Sequence, residues 1–253
     1  MNERTMTVRQ LMVLASELGA EHFYGMRDPF GEEDPAQVHA AYASILTELE
    51  ASGGVSLGFD GSVVVDETLA ALVRACAFCT RYVTVEQILC GEPAPLRNIY
   101  LHEGRAVCLE AGAGRVRLCE ISPEETARLA LREVLAGCGA QEESESAFCV
   151  RQQTLALCAQ RSEQGLRELR AAGMQPELAQ LLADGVRQRA NYCCLSAVDL
   201  EKRTLQSVCV VYDAQRLALL EPDTHEIDGW QVRTLTPQTL CGQVGAMTRE
   251  AAR

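Results

Sequence analysis

Two stretches decide how this chain is read: Ile45–Gly54, ILTELEASGG, and Gly165–Met174, GLRELRAAGM. They align at a constant offset of 120, pairing Leu46 with Leu166, Glu48 with Glu168, Leu49 with Leu169, Ala51 with Ala171 and Gly53 with Gly173. In each, apolar residues at helical spacing run into a glycine, the residue that most easily takes the left-handed turn ending a helix. Downstream, ETLAALVRA (Glu67–Ala75) matches PELAQLLAD (Pro176–Asp184), pairing Leu69 with Leu178 and Leu72 with Leu181 at an offset of 109. The offset falls because only the first copy carries the Ser56–Val65 excursion. EGRAVCLE (Glu103–Glu110) then matches AQRLALLE (Ala214–Glu221), pairing Arg105 with Arg216, Leu109 with Leu220 and Glu110 with Glu221. Val116-Arg117 matches Val232-Arg233, and a helix opened by proline follows each.

The elements around these matches follow from local rules. Thr7 caps a first helix reaching Leu18, after a polar start that reads as part of an amphipathic helix. Asp34-Pro35 opens a second helix with the stripe Val38, Tyr42, Ile45, Leu46 and Leu49. Asp60-Gly61 turns a short hairpin, and Asp66 caps a third helix. Strand-like runs follow at Arg81–Ile88, Asn98–Leu101, Arg105–Leu109 and Arg115–Ile121, and Ser122-Pro123 starts a helix to about Ala136. The acidic run Gln141–Ser146 marks the boundary, giving a first repeat over 1–140 and a second over 147–253, packed as one globular unit. In the second repeat, Val150–Ala172 reads as one helix and Gln175-Pro176 opens another to about Arg189. Strands follow at Tyr192–Val198, Leu205–Val211, Leu217–Leu220 and Trp230–Leu235, and Thr236-Pro237 opens the closing helix. Each half alone leaves edge strands and an apolar helix face uncovered. The predicted fold class is therefore α+β: two pseudo-symmetric repeats forming a central, mainly antiparallel sheet flanked by helices and helical bundles.

Composition narrows the function. A net charge of −12 opposes nucleic-acid and anionic-membrane binding, which need clustered lysine and arginine. No apolar run approaches the ~20 residues that span a bilayer, and the start has no secretory h-region, so the expected location is the cytoplasm. Most of the 12 cysteines replace small apolar residues in periodic segments, among them Cys108, Cys119, Cys158 and Cys209. Cys76-Ala-Phe-Cys79 has CxxC spacing, but no second pair or histidine at metal spacing accompanies it. No metal or cofactor is expected.

Nor do the residues spell out a reaction. His22, His39, His102 and His225 form no metal-type pair, and Glu32-Glu33-Asp34 and Glu142-Glu143 read as solvated loop charge. Gly112-Ala-Gly114 lies between strands and opens no helix, so it cannot cradle a phosphate. A winged-helix DNA reader fits poorly, because the third helix carries only Arg74. Three readings stay open: a binding protein without catalysis, an enzyme or small-ligand binder on the duplicated sheet, and a DNA-binding regulator.

The succession LxELxAxG, then an acidic residue with LAxL, then GRAVCLE or QRLALLE, then VR before a proline-started helix, resembles the EspG family over roughly Val8–Leu240. Those proteins are cytosolic chaperones of type VII (ESX) secretion. The resemblance implies a quasi-two-fold α/β architecture and a non-enzymatic role in holding helical secretion substrates soluble for export. PE–PPE-like pairs or WXG-type helical hairpins would be the partners. The cysteine count and the Ser56–Val65 excursion depart from the pattern, which marks a distant branch. A chaperone for helical hairpins needs an apolar groove or sheet face with a polar rim. Candidate partner-binding residues in the irregular and hairpin segments are Pro95, Leu96, Ile99 and Trp230. The excursion, present in one copy only, suggests that one side is adapted to grip a partner.

Overall fold

The helix-ending stretches behave as their glycines require. Ser52 N–H bonds Glu48 O, Gly53 N–H bonds Glu50 O and Gly54 N–H bonds Leu49 O, with Gly53 at φ +73°. In the second stretch Ala172 bonds Glu168, Gly173 bonds Arg170 and Met174 bonds Leu169, with Gly173 at φ +88°. These are two copies of one Schellman ending, and the residue each buries, Leu49 or Leu169, is 3% or 0% exposed.

The computed structural model describes residues 2–139, 147–160 and 163–250. The acidic run proposed as a boundary, Gln141–Ser146, lies outside them. In chain order the elements are β1 (Glu3–Thr7), α1 (Val8–Glu17), α2 (Pro35–Ala51), β2 (Val55–Leu57), β3 (Val63–Val65), α3 (Glu67–Ala77), β4 (Arg81–Leu89), β5 (Glu92–Pro93), β6 (Leu96–His102), β7 (Arg105–Gly112) and β8 (Arg115–Ile121). A 3-10 turn (Pro123–Glu125), α4 (Thr126–Ala130) and α5 (Arg132–Gly137) follow. Next come β9 (Phe148–Arg151), α6 (Gln152–Ala159), α7 (Glu163–Ala171), α8 (Pro176–Val186), β10 (Asn191–Asp199), β11 (Thr204–Tyr212), β12 (Leu217–Pro222), β13 (Gly229–Thr234) and α9 (Pro237–Glu250). Two compact units emerge, one comprising Met1–Tyr82, Leu96–Glu125 and Asp199–Arg203, the other Val83–Pro95, Thr126–Val198 and Thr204–Arg253.

In the first unit the strand order is β1-β8-β7-β6, and all three pairings are antiparallel. Helices α1 and α3 cover one face, burying Leu11, Leu14, Leu72 and Val73 against Tyr100, Leu109 and Leu118. Thr7 makes a capping box with Gln10, and Asp66 caps α3 through Leu69 N–H at 2.9 Å. The loop before α2 is tied to β6 by two buried groups: Tyr100 Oη donates to Tyr24 O at 2.8 Å and Asn98 Nδ2 to Gly25 O at 2.9 Å. Phe23 packs edge-on to Tyr100.

The second unit runs β4-β10-β11-β12-β13-β9, with β5 on β4. Helices α6, α7 and α8 form a cluster closed by Cys158, Leu169, Leu182 and Ala183, packed on Val211, Ala218 and Val232. Helix α8 approaches β11 so closely that a Cβ on Gly185 would fall 2.6 Å from Val211 Cγ2. Element order in the two halves of the chain runs in parallel. A short strand leads directly into a helix in each (β1–α1 and β9–α6), two helices follow, and the leading strand pairs with the last strand, β8 or β13. Glu110 is ion-paired with Arg117, and Glu221 with Arg233, joining residues that the sequence alignment had matched one by one. Fold class is α+β with antiparallel sheets flanked by helices, as predicted.

Three local expectations are corrected. The polar start is strand β1, not helix: only Met6 is buried, and pairing with β8 plus the Glu3–Arg117 ion pair supplies what its own pattern lacks. Val150–Ala172 is not one helix. Its first residues join β9, with Val150 opposite Trp230, and α6 and α7 are separate helices. The helix after Ser122 opens as a 3-10 turn and is interrupted at Leu131 (φ −102°, ψ 12°). Leu131 N–H still bonds Ala127 O, and Leu135 N–H still bonds Leu131 O, so the interruption is a single-residue jog.

Candidate functional site

Strand alternation sorts the residues of the second unit's sheet into two unlike faces. Val83, Val85 and Gln87 of β4, Cys193 and Leu195 of β10, and Val208, Val210 and Tyr212 of β11 are buried. Their neighbours on the other face are open to solvent in part: Ile88, Tyr192, Cys194, Ser196, Val198, Ser207 and Cys209. Leu205, 66% exposed, lies at the open end. Helix α8 meets this face at Val211, where Gly185 permits close approach, and Tyr192 and Cys209 pack partly against the same helical cluster.

Where the helices stop, a pocket of about 320 Å³ opens. Its floor is Ile88, Tyr192, Cys209, Leu220 and Trp230, and its wall is Leu155 of α6 with Gly185, Val186 and Gln188 at the end of α8. The register explains the floor: Cys209 lies opposite Leu220, and Trp230 opposite Pro222, two residues from Leu220 on the same face. The lining is almost wholly apolar. Its polar exceptions are the Gln188 amide and the Tyr192 hydroxyl, which donates to Cys209 Sγ at 3.1 Å. Such a site suits one bulky apolar side chain rather than a charged substrate.

In the first unit the Ser56–Val65 excursion is the hairpin β2–β3. It presents Leu57, Phe59 and Val64 at 39, 116 and 63% exposure. A hairpin held by three backbone rungs that projects this much apolar surface has no folding reason for it.

The four residues singled out from the sequence fall in different settings. Trp230 is half-buried in the pocket floor. Pro95 is exposed beyond β5, and Leu96 is half-buried at the start of β6. Ile99 is fully buried and packs the core. Tyr192, Cys209 and Ile88 were missed, because they lie on three strands and share no sequence spacing. The one signal available was the mixed alternation of Tyr192, Cys194, Ser196 and Val198 beside the purely apolar Cys193 and Leu195.

Among the described residues, no group of three or more His, Cys, Asp and Glu is placed to hold a metal ion. Burial pushes the Cys79 thiol up to about 12 and Cys76 well above its ordinary range, so the CxxC pair is not a source of thiolate. No helix of the described residues is long and apolar enough to cross a membrane.

The class is thus an α+β fold of antiparallel sheets and flanking helices, with one sheet face left partly open. A solved structure with that fold is the Mycobacterium tuberculosis type VII secretion system chaperone EspG5, in complex with a PE25–PPE41 dimer. The two match with a TM-score of 0.68 over 98% of this chain and 96% of that one, at 11% sequence identity. At the level of the fold, the EspG resemblance read in the sequence is met. No family model matches the chain, and neither does any curated protein sequence.

Proposed function

We propose that this protein is a cytoplasmic, non-enzymatic chaperone of a type VII-like secretion system, and that it binds helical secretion substrates. The observation that carries this reading is the end-to-end fold likeness to a chaperone solved with a PE–PPE dimer, which extends over 98% of the chain. The open sheet face of the second unit supports it, since a helical hairpin needs an apolar surface with a polar rim. Trp230 and the pocket around it receive an apolar side chain from the tip of a PE–PPE-like pair. Pro95, Leu96 and the β2–β3 hairpin are further partner-facing surfaces. The parallel element order points to a duplicated module, with repeats over 1–140 and 147–253. Acidity of −12 suits a soluble carrier and disfavours nucleic acid.

The test is affinity capture of the tagged chain from its own cells, followed by peptide identification. A co-purifying PE–PPE-like pair supports the proposal; a WXG-type hairpin would keep the chaperone role and correct the partner. Recovery of no small helical secreted protein from cells with an active secretion system would sink it.

A further inference from the structure

The open face of the second unit's sheet carries more than apolar surface. Cys194 on β10 and Cys209 on β11 point to the same side, their sulfurs 3.1 Å apart. One rung away, Ser196 Oγ and Ser207 Oγ stand 2.9 Å apart, so equal two-residue steps on both strands put the two pairs in one register. Both thiols are half-buried, and Tyr192 donates its hydroxyl proton to Cys209 Sγ at 3.1 Å. A sulfur–sulfur separation this short needs a movement of only ~1 Å to reach disulfide bonding distance.

Other cysteines lack one condition or another. Cys76 and Cys79 are buried, and so are Cys108 and Cys119, which also lie opposite each other on β7 and β8. Cys90 and Cys149 are exposed, but their nearest polar partners are Asn191 and the carboxylates of Asp223 and Glu226. Cys194 and Cys209, among the described residues, combine partial exposure with a sulfur–sulfur contact of 3.1 Å.

We propose that Cys194 and Cys209 form an oxidisable dithiol site that closes to a cross-strand disulfide at the edge of the apolar pocket's floor. The oxidant is a peroxide. Cys194 is the attacking sulfur, because its contact with Cys209 holds its thiol below the ordinary range, against burial and the charge of Glu86. Cys209 keeps its proton, raised by the same contact and by burial. In the first step the Cys194 sulfur bonds one peroxide oxygen, the O–O bond breaks, and water leaves. In the second the Cys209 sulfur bonds Cys194, the S–O bond breaks, and a second water carries away the remaining oxygen with the Cys209 proton. Two thiols are oxidised, and one peroxide is reduced to two waters. The chemistry stands independently of any secretion partner.

The full chain, fully reduced, is treated with one equivalent of hydrogen peroxide, unfolded in N-ethylmaleimide and digested with trypsin. The expected product joins Ala190–Lys202 to Thr204–Arg216 with the loss of two hydrogens, and dithiothreitol separates it. It forms at a dose that leaves Cys90 and Cys149 mostly alkylated. Cys194→Ser abolishes the product and Cys193→Ala does not, which distinguishes adjacent cysteines sharing one peptide. With Cys209→Ser, dimedone traps a sulfenic acid at Cys194. Full alkylation of both thiols at a peroxide dose that consumes Cys90 and Cys149 would overturn the assignment, as would a linkage through Cys193.

Discussion

Alanine at Gly53 and at Gly173 should destabilise the protein equally, although the two glycines sit 120 positions apart. Each holds a left-handed backbone, at φ +73° and +88°, that closes a helix by the same three hydrogen bonds. A Cβ on Gly53 would meet nothing within 4 Å, and one on Gly173 only Phe148 Cε1 at 3.9 Å, an ordinary contact. Crowding therefore contributes nothing, and the cost is conformational. An L-residue in this region pays ~1–2 kcal/mol, offset by ~0.4–1 kcal/mol from the stiffer unfolded chain. The net loss is about 1 kcal/mol at either site, worth roughly 2–4 °C in Tm for a chain of this size. Gly242 in α9 is the control: it has ordinary helical backbone and open space, so alanine there adds about 0.5–1 kcal/mol. Urea unfolding followed by circular dichroism reads all three, with unchanged slopes confirming that stability alone has moved. A Gly173→Ala variant as stable as the parent, beside a destabilised Gly53→Ala, would refute the equivalence of the two endings.

Gly185→Ala forces a methyl into Val211, which is 1% exposed, and should cost ~1–3 kcal/mol; Val211→Ala in the same chain restores part of the loss in urea melts. Tyr100→Phe removes the bond to Tyr24 O, with an expected loss of about 1 kcal/mol and faster amide exchange through the loop before α2. Asp199 is held below its usual pKa by the Lys202 backbone N–H and, against the opposing effect of burial, by the Arg81 guanidinium at 3.1 Å. Its folded pKa lies below the unfolded one, so this stabilisation is complete above about pH 4 and is lost as pH falls through the folded value. Asp199→Asn should flatten the urea midpoint in that acid window and lower it at neutral pH, where Arg81 loses its counter-charge; an unchanged acid profile would contradict the assignment.

What could be read in the sequence was local. Thr7, Asp34-Pro35 and Asp66 start helices because capping involves residues within one turn, and the glycine endings are equally self-contained. Strands β1 and β9 could not be read that way. They are five and four residues long, each buries one residue fully, Met6 or Val150, and each owes its form to a distant partner, β8 or β13. Ile99 looked available because hairpin residues usually expose one face. In β6 the run Arg97, Asn98, Ile99 and Tyr100 is buried on both faces, which alternation cannot reveal. Trp230 was visible as a lone large aromatic, but its neighbours Ile88, Tyr192 and Cys209 meet it only through sheet order.

The chaperone reading is tested most directly by binding. The protein and a PE–PPE-like helical pair from the same cell are purified separately, mixed, and followed by calorimetry and size-exclusion chromatography. A stable one-to-one complex is expected, weakened about tenfold or more by Trp230→Ala, the loss that follows when an aromatic at the centre of an interface is truncated. Two folded components that elute apart and exchange no heat on mixing would contradict it.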